Sequence, residues 1–228
     1  MPRAANPDTN PWASDRATFD LYRRRCRREA EEMTCAAQAA EVLGPRLTPG
    51  ETVLDAGCGG GYYLWSFLDR GFEPDWHGLD FTPEMVELAR SEVATRAGLA
   101  PERFMLGAIE DLPEHSYDAV LCFNVLTNSP HFAAPLERLL RAARRRILLR
   151  ESLGEHLVVH FTPDPYLDEG KRHIRVYHNT YPAQEVIALM EAEGFDVQRI
   201  ADARTADGTE TVVGFPHQWR ILYGERRT

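Results

Sequence analysis

Lysine is almost missing from this chain: Lys171 stands alone among 26 basic residues, and the rest are arginine. The skew reads as a coding bias rather than as chemistry. Long apolar runs are missing too. Nothing approaches the roughly 18–20 apolar residues that cross a bilayer, so no membrane span is expected. The opening segment, MPRAANPDTNPWASD, holds no apolar signal-peptide core, and a cytoplasmic location is the default expectation. The four cysteines (Cys26, Cys35, Cys58, Cys122) form no CxxC pair and no zinc-ligand spacing, so free buried thiols are expected and no metal. Positive charge is in deficit, with 26 Lys+Arg against 35 Asp+Glu and a net charge of −9. A field of that sign repels phosphate backbones and argues against a dedicated nucleic-acid binder.

What remains is a chain of 228 residues, 43 % hydrophobic and 27 % charged, the balance of a folded domain with a sizeable core. Residues 1–14 are rich in Pro, Asn and Ala and read as flexible. A helical stretch follows from Asp15 to Leu43, with Phe19, Tyr22, Cys26, Ala30 and Met33 at three- and four-residue steps. The basic run Arg23 to Arg28 precedes Glu29, Glu31 and Glu32, which suits pairing along one solvated helix face. From Glu51 onward strands and helices alternate. Strands are expected at Thr52–Asp55, Trp76–Asp80, Arg103–Gly107, Ala119–Asn124, Arg146–Leu149, Phe195–Ile200 and Trp219–Tyr223. Helices are expected at Tyr62–Leu68, from Pro83 with Thr82 as N-cap, at Leu136–Ala143 and at Pro182–Glu193. This alternation predicts an α/β fold with a mostly parallel sheet and helices on both faces. Ala203–Gln218 reads as a long loop with weak strand character at Thr211–Val213.

The first strand runs into Gly57-Cys58-Gly59-Gly60-Gly61. Glycines there let a backbone approach a ligand closely, and the next helix offers free N–H groups. The spacing does not fit pyrophosphate. The third glycine of a dinucleotide fingerprint would fall on Tyr62, and no Gly-Lys-Ser/Thr follows. Val53 to Tyr63, VLDAGCGGGYY, instead resembles motif I of the class I S-adenosylmethionine-dependent methyltransferases, and the resemblance covers about Glu51 to Glu151. It implies a Rossmann-like sheet of seven strands, the last antiparallel, with S-adenosylmethionine as cofactor. Asp55, Gly57, Cys58 and Gly59 would form the cofactor loop. Asp80, in GLDFTPEM, corresponds to the carboxylate that holds both ribose hydroxyls, and one carboxylate can accept two such bonds. Phe81 and Met85 would touch the adenine. The turn Gly107 to Pro113 resembles the adenine-binding turn, but Ala108 stands where the family has an aspartate. Either backbone groups around Ile109 read the purine or Glu110 supplies the acceptor. Phe123 and Asn124 fall on the methyl-donor side. Asn124-Val125-Leu126-Thr127 lacks the Pro-Pro signature of amino-methylating DNA enzymes.

In-line displacement at a sulfonium methyl needs alignment and water exclusion, and a general base only when the nucleophile arrives protonated. Candidate bases therefore lie outside the matched core. His156 to Tyr181 concentrates His156, His160, Asp164, Asp168, His173 and His178. Three readings compete for it: a substrate lid at 153–181 with a catalytic base, a solvated connection, or a metal site without HxH or HExxH spacing. His160 and His178 are the candidate bases within it, and His131 in the loop after the fourth strand is another. Tyr22 either closes the pocket or packs into the core. The expected organisation is an N-terminal helical cap at 1–45 and a methyltransferase domain at 46–228. The expected function is methyl transfer to a small-molecule acceptor, with no nucleic-acid partner. The alternatives are another reaction of S-adenosylmethionine (cyclisation, decarboxylation or aminopropyl transfer) and a non-catalytic module on the same fold.

Overall fold

Five apolar-rich strands supply the centre of the molecule, whose computed structural model describes residues 10–227. In chain order they are β1 (Thr52–Ala56), β2 (Asp75–Asp80), β3 (Phe104–Leu106), β4 (Tyr117–Phe123) and β5 (Ala143–Gly154). All pair in parallel, as strands joined by helical crossovers must. Two short strands, β6 (Phe161–Pro163) and β7 (Arg175–Tyr177), form a separate hairpin, and β8 (Tyr181–Pro182) adds to the end of β5. After β9 (Phe195–Ile200) comes a second hairpin, β10 (Glu210–Val212) with β11 (Phe215–His217), and then β12 (Trp219–Arg226). The sheet order is β3-β2-β1-β4-β5-β12-β9, with β12 antiparallel to both neighbours. The seven expected strands are therefore present with the last one reversed, and the two-residue β8 makes an eighth.

Period-two alternation sorts the sheet's side chains into two cores. Ala119, Leu121 and Phe123 of β4 join one, under α1 (Arg16–Cys26), α2 (Thr34–Leu43), α3 (Tyr63–Leu68) and α4 (Pro83–Leu88). After α4 the helix widens into a π segment at Ala89–Ala94 and closes with α5 (Thr95–Ala97). Val120 and Cys122 join the other core, under α6 (Ala133–Ala142) and α7 (Ala183–Ala192). All four cysteines are buried and unpaired, as expected. Among the described residues no helix is long and apolar enough to cross a membrane.

Several expectations are corrected. The helix read from Asp15 to Leu43 is broken, because Arg28 takes a left-handed conformation (φ 63°) and α1 stops at Cys26. Arg23 pairs along its own helix with Asp20 at 2.8 Å, but the acids that follow the basic run are not the partners of Arg27 and Arg28. Arg27 binds Glu92 across the molecule at 2.7 Å, Arg28 meets Asp69, and Glu32 receives Arg70 at 2.7 Å. Leaving the helix lets like charges separate. Of residues 1–14, read as flexible, residues 10–14 are packed: Asn10 and Ser14 are buried, and Pro11–Ala13 form a turn of 3₁₀ helix. Residues 1–9 lie outside the described residues. Thr82 makes no N-cap bond; its hydroxyl accepts from Asn10 Nδ2 at 3.1 Å. Strand β5 also runs past Leu149, carrying Arg150, Glu151 and Ser152 into the interior.

Buried Glu151 anchors the chain after β4. Its carboxylate accepts from the Val125, Leu126 and Thr127 amides at 2.8–3.0 Å and from the Thr127 hydroxyl at 2.8 Å. Removing it orphans these donors in an apolar setting, where each lost partner costs on the order of 1 kcal/mol. Glu151→Ala is expected to lower the unfolding free energy by about 3 kcal/mol in urea denaturation, and Thr127→Val by about 1 kcal/mol.

Candidate functional site

Ligands of doubly wound sheets bind at the carboxyl ends of the strands, where the order reverses. Here that point lies between β1 and β4. The backbone leaving β1 turns sharply over the end of β2: the Gly57 and Cys58 amides both donate to Leu79 O, at 2.7 and 3.0 Å. Gly57 sits at φ 77°, and a Cβ there would lie 2.3 Å from Val125 Cγ2. Gly59 sits at φ 51°, and a Cβ there would point into open space, as a ligand-facing surface should. The Cys58 side chain turns inward instead, and burial pushes its thiol well above the ordinary range.

Two carboxylates meet at this turn. Asp80, at the end of β2, accepts from the Gly59 amide (Oδ2, 2.8 Å) and the Thr82 amide (Oδ1, 2.8 Å). Burial raises its pKa, and these amide bonds oppose the rise. Each oxygen keeps a free lone pair. Asp55, in β1, is 3 % exposed and its Oδ2 has no hydrogen-bond partner. Burial first, and then the charge of Asp80, push its pKa up to about 8.

The remaining expected residues separate into groups. Phe81 is exposed beside Asp80, whereas Met85 is fully buried in the core beneath it. Ile109 is half-buried in a 3₁₀ turn tied to β2 through the Gly107 amide and Asp80 O (3.0 Å), and Glu110 is exposed. Phe123 packs edge-on against Tyr63 at 6.0 Å. Asn124 takes φ 60°, and its Oδ1 accepts from the Arg150 guanidinium. Tyr22 stands 5.6 Å from Tyr62 with Arg25 over both rings, near enough to Asp80 for that charge to act on its phenol. His131 is exposed, and its carbonyl accepts from the Ser129 hydroxyl at 2.9 Å. His160 and His178 lie together after β5, both against Phe215 (4.7 and 4.8 Å).

The segment 153–181 is tied to the rest of the chain on two sides. The Asn179 amide donates to Thr127 O at 2.9 Å, while the Asp168 amide donates to Ser14 O at 2.9 Å. Between them lies a cavity of about 480 Å³ whose wall includes Trp12, Phe81, Phe161, Arg175 and Tyr177.

Two functional groups escape the motif reading. Arg150, buried at the end of β5, bonds Asp202 at 2.6 Å and stacks over Trp219 at 4.5 Å. Its signal was a charge inside an apolar strand. His217 is 1 % exposed, and its signal was the alternation Phe215-x-His217-x-Trp219, which puts three rings on one face.

A parallel sheet in this order, with a glycine turn and a carboxylate at its switch point, defines a Rossmann-like methyltransferase architecture. The family described as "Methyltransferase domain" matches residues 47–160, half of the chain, and the chain belongs to that family, the class I S-adenosylmethionine-dependent methyltransferases. Among curated proteins, the tRNA U34 carboxymethyltransferase of Serratia proteamaculans is 32 % identical over 171 residues, covering 69 % of this chain and 49 % of that protein. The chain spans about half the length of the curated relatives it matches. Among solved structures, magnesium protoporphyrin IX methyltransferase from Synechocystis PCC 6803 with bound S-adenosylmethionine has a TM-score of 0.56 at 22 % identity, covering 93 % of each chain. The Burkholderia thailandensis 1,6-didemethyltoxoflavin-N1-methyltransferase has a TM-score of 0.54 at 20 % identity, covering 86 % of this chain and 80 % of that one.

The Asp55 carboxyl sets a pH signature. Its folded pKa lies above the unfolded value, so the native state binds the extra proton and stability falls as pH rises from the ordinary carboxylate range to about 8. Asp55→Asn is expected to flatten that slope in the ligand-free protein. At pH 8 it should raise stability by at least about 1.4 kcal/mol, the worth of one pKa unit. Thermal melts of the two proteins between pH 5 and pH 8 check this (both within roughly the range of maximal stability).

Proposed function

We propose that this chain transfers a methyl group from S-adenosylmethionine to a small-molecule acceptor. The observation that carries the reading is the paired carboxylate at the glycine turn: Asp80 braced by two amides with lone pairs to spare, and Asp55 with a buried oxygen that no protein group satisfies. The residues present fit that cofactor. Asp80 would accept from the ribose diol, and the open side of Gly59 would let the backbone lie against the nucleoside. Asp55 would meet the cationic amino-acid end, with Phe81 and the Ile109 turn flanking the adenine and Phe123 and Asn124 at the methyl-donor end. When bound, the cofactor supplies a methyl group on a positively charged sulfur with a neutral leaving group. The chain's own work is then to align the acceptor and exclude water.

Residues 10–14 and 153–181 are suited to that task as a cap and a lid. The Ser14–Asp168 hydrogen bond at 2.9 Å joins them, and the first residue of α1, Arg16, adds a second bond to Asp168 at 3.3 Å. The wall of the adjacent cavity is largely apolar, with four aromatic side chains beside the His173 imidazole and the Arg175 guanidinium, which suits an organic acceptor of metabolite size. A nucleic-acid acceptor is the second reading, favoured by the relatives named for tRNA. Their existence removes support for the expectation that no nucleic acid is involved. The net charge of −9 favours the metabolite.

Calorimetry tests the cofactor half of this reading. The wild type is expected to bind S-adenosylmethionine, and Asp80→Ala to lose at least about 100-fold in affinity, since two charge-assisted bonds worth about 1.5–3 kcal/mol each disappear. Unchanged affinity in Asp80→Ala would contradict the ribose assignment. No binding by the wild type would leave a non-catalytic module on this fold.

A further inference from the structure

Three imidazole nitrogens without a protein partner are buried in one place. They are Nδ1 and Nε2 of His217 and Nε2 of His178, on side chains from residues only 1 % and 6 % exposed. Buried polar groups are nearly always paired, and an orphaned one costs about 1–3 kcal/mol, so three together point to a partner from outside the chain. A neutral imidazole carries one donor and one acceptor nitrogen; His217 therefore offers both functions.

Their position gives them a role. His217 lies parallel to Trp219 at 4.9 Å, and Trp219 lies under the Arg150 guanidinium at 4.5 Å. Arg150 in turn holds Asn124, at the end of β4 where the methyl donor is read to face. His178 stacks on Phe215 at 4.8 Å and stands 5.8 Å from His217. The next residue, Asn179, is bonded to the loop after Asn124 through Thr127 O. The rings thus form two stacked pairs, His217 on Trp219 and His178 on Phe215, with the two imidazoles inclined at 60° to each other. The charged and titratable groups around it are His160, Asp164, Arg150, Asp202 and Glu210. Arg150 is neutralised by Asp202 at 2.6 Å, and Glu210 is engaged by Trp219 Nε1 at 2.9 Å. Neither carboxylate is free to take an acceptor's proton. Burial lowers the pKa of both imidazoles, that of His217 to about 4, so both stand neutral at pH 7 with a nitrogen lone pair to offer a ligand.

We propose that His217, with His178, binds the methyl acceptor and takes its proton, and that the acceptor is a flat molecule presenting a protonated oxygen or nitrogen such as a phenol, an enol or a ring N–H. This rests on the small-molecule reading above. The acceptor's lone pair forms the new bond to the methyl carbon as the carbon–sulfur bond breaks and its electron pair stays on sulfur. The acceptor's proton passes to an imidazole nitrogen and then to water after product leaves. At a pKa of about 4 the imidazole takes the proton late, once the attacking atom has become cationic by bonding the methyl carbon.

The test incubates the protein with methyl-labelled S-adenosylmethionine and, separately, the small-molecule filtrate and the tRNA fraction of the source organism's extract. His217→Phe keeps the ring stacked on Trp219 while removing both nitrogens. It is expected to lose at least about 100-fold in transfer to the small-molecule product. Its affinity for S-adenosylhomocysteine should match the wild type, and its melting temperature should be equal or higher. The label should sit on oxygen or nitrogen. The purified product, added to the S-adenosylhomocysteine complex, should shift the His217 imidazole resonances. Wild-type transfer by His217→Phe would overturn the proposal while leaving the methyltransferase reading intact, as would label on carbon or sulfur. Label in tRNA alone, or none at all with the wild type, would overturn the small-molecule reading and this proposal with it. Should His217→Phe fail to fold, His178→Phe and His217→Gln decide the matter by the same criteria.

Discussion

The bond from the Gly59 amide to Asp80 is the constraint on which the site depends. It ties the turn after β1 to the end of β2, and the left-handed glycines on either side of Cys58 exist to let the backbone reach it. The same contact holds a buried carboxylate next to a second one, Asp55. Two acids so close in an apolar setting repel, and burial disfavours their charged forms. A protein keeps such an arrangement where a ligand that is cationic at one end and rich in hydroxyls at the other relieves it.

A second polar system is built on the far side of β4. Glu151 fixes the loop after that strand, while Arg150, one residue earlier on the opposite face, holds Asn124 and Asp202. Adjacent residues of one strand thus serve two tasks, because successive side chains point to opposite faces. Glu151 sets the position of residues 125–127, and Arg150 sets the floor under Trp219 and the histidines beyond it. Segment 153–181 closes against both through Asn179 and the paired hydroxyls of Ser152 and Thr180.

The sheet was legible in the sequence wherever a strand was a continuous apolar run bounded by a turn. Val53–Leu54, Ala119–Phe123 and Ile147–Leu149 announce themselves that way, and the glycine spacing after β1 marks the sharp turn over the end of β2. What stayed hidden depends on partners distant in the chain. The break at Arg28 is accompanied by ion pairs of Arg28 to Asp69 and of Arg27 to Glu92 that no local pattern shows. Arg150, Glu151 and Ser152 look like the exit of a strand until Asp202 and Thr127 are brought against them. The hairpins at 161–177 and 210–217 are each made of three-residue strands, too short for alternation to register, and so His217 was passed over. Met85 shows the converse: its place in the motif suggested a ligand contact, but the helix turns it into the core.

The proposed cofactor site stands on Asp80 and Asp55, one on either side of the glycine turn. A crystal structure of the complex with S-adenosylhomocysteine tests it most directly. Both ribose hydroxyls are expected on the Asp80 carboxylate, the amino-acid end at Asp55, and the sulfur turned toward Phe123 and Asn124. A nucleoside held elsewhere, such as in the cavity beside Phe161 and Tyr177, with Asp80 still bonded only to Gly59 and Thr82, would contradict it.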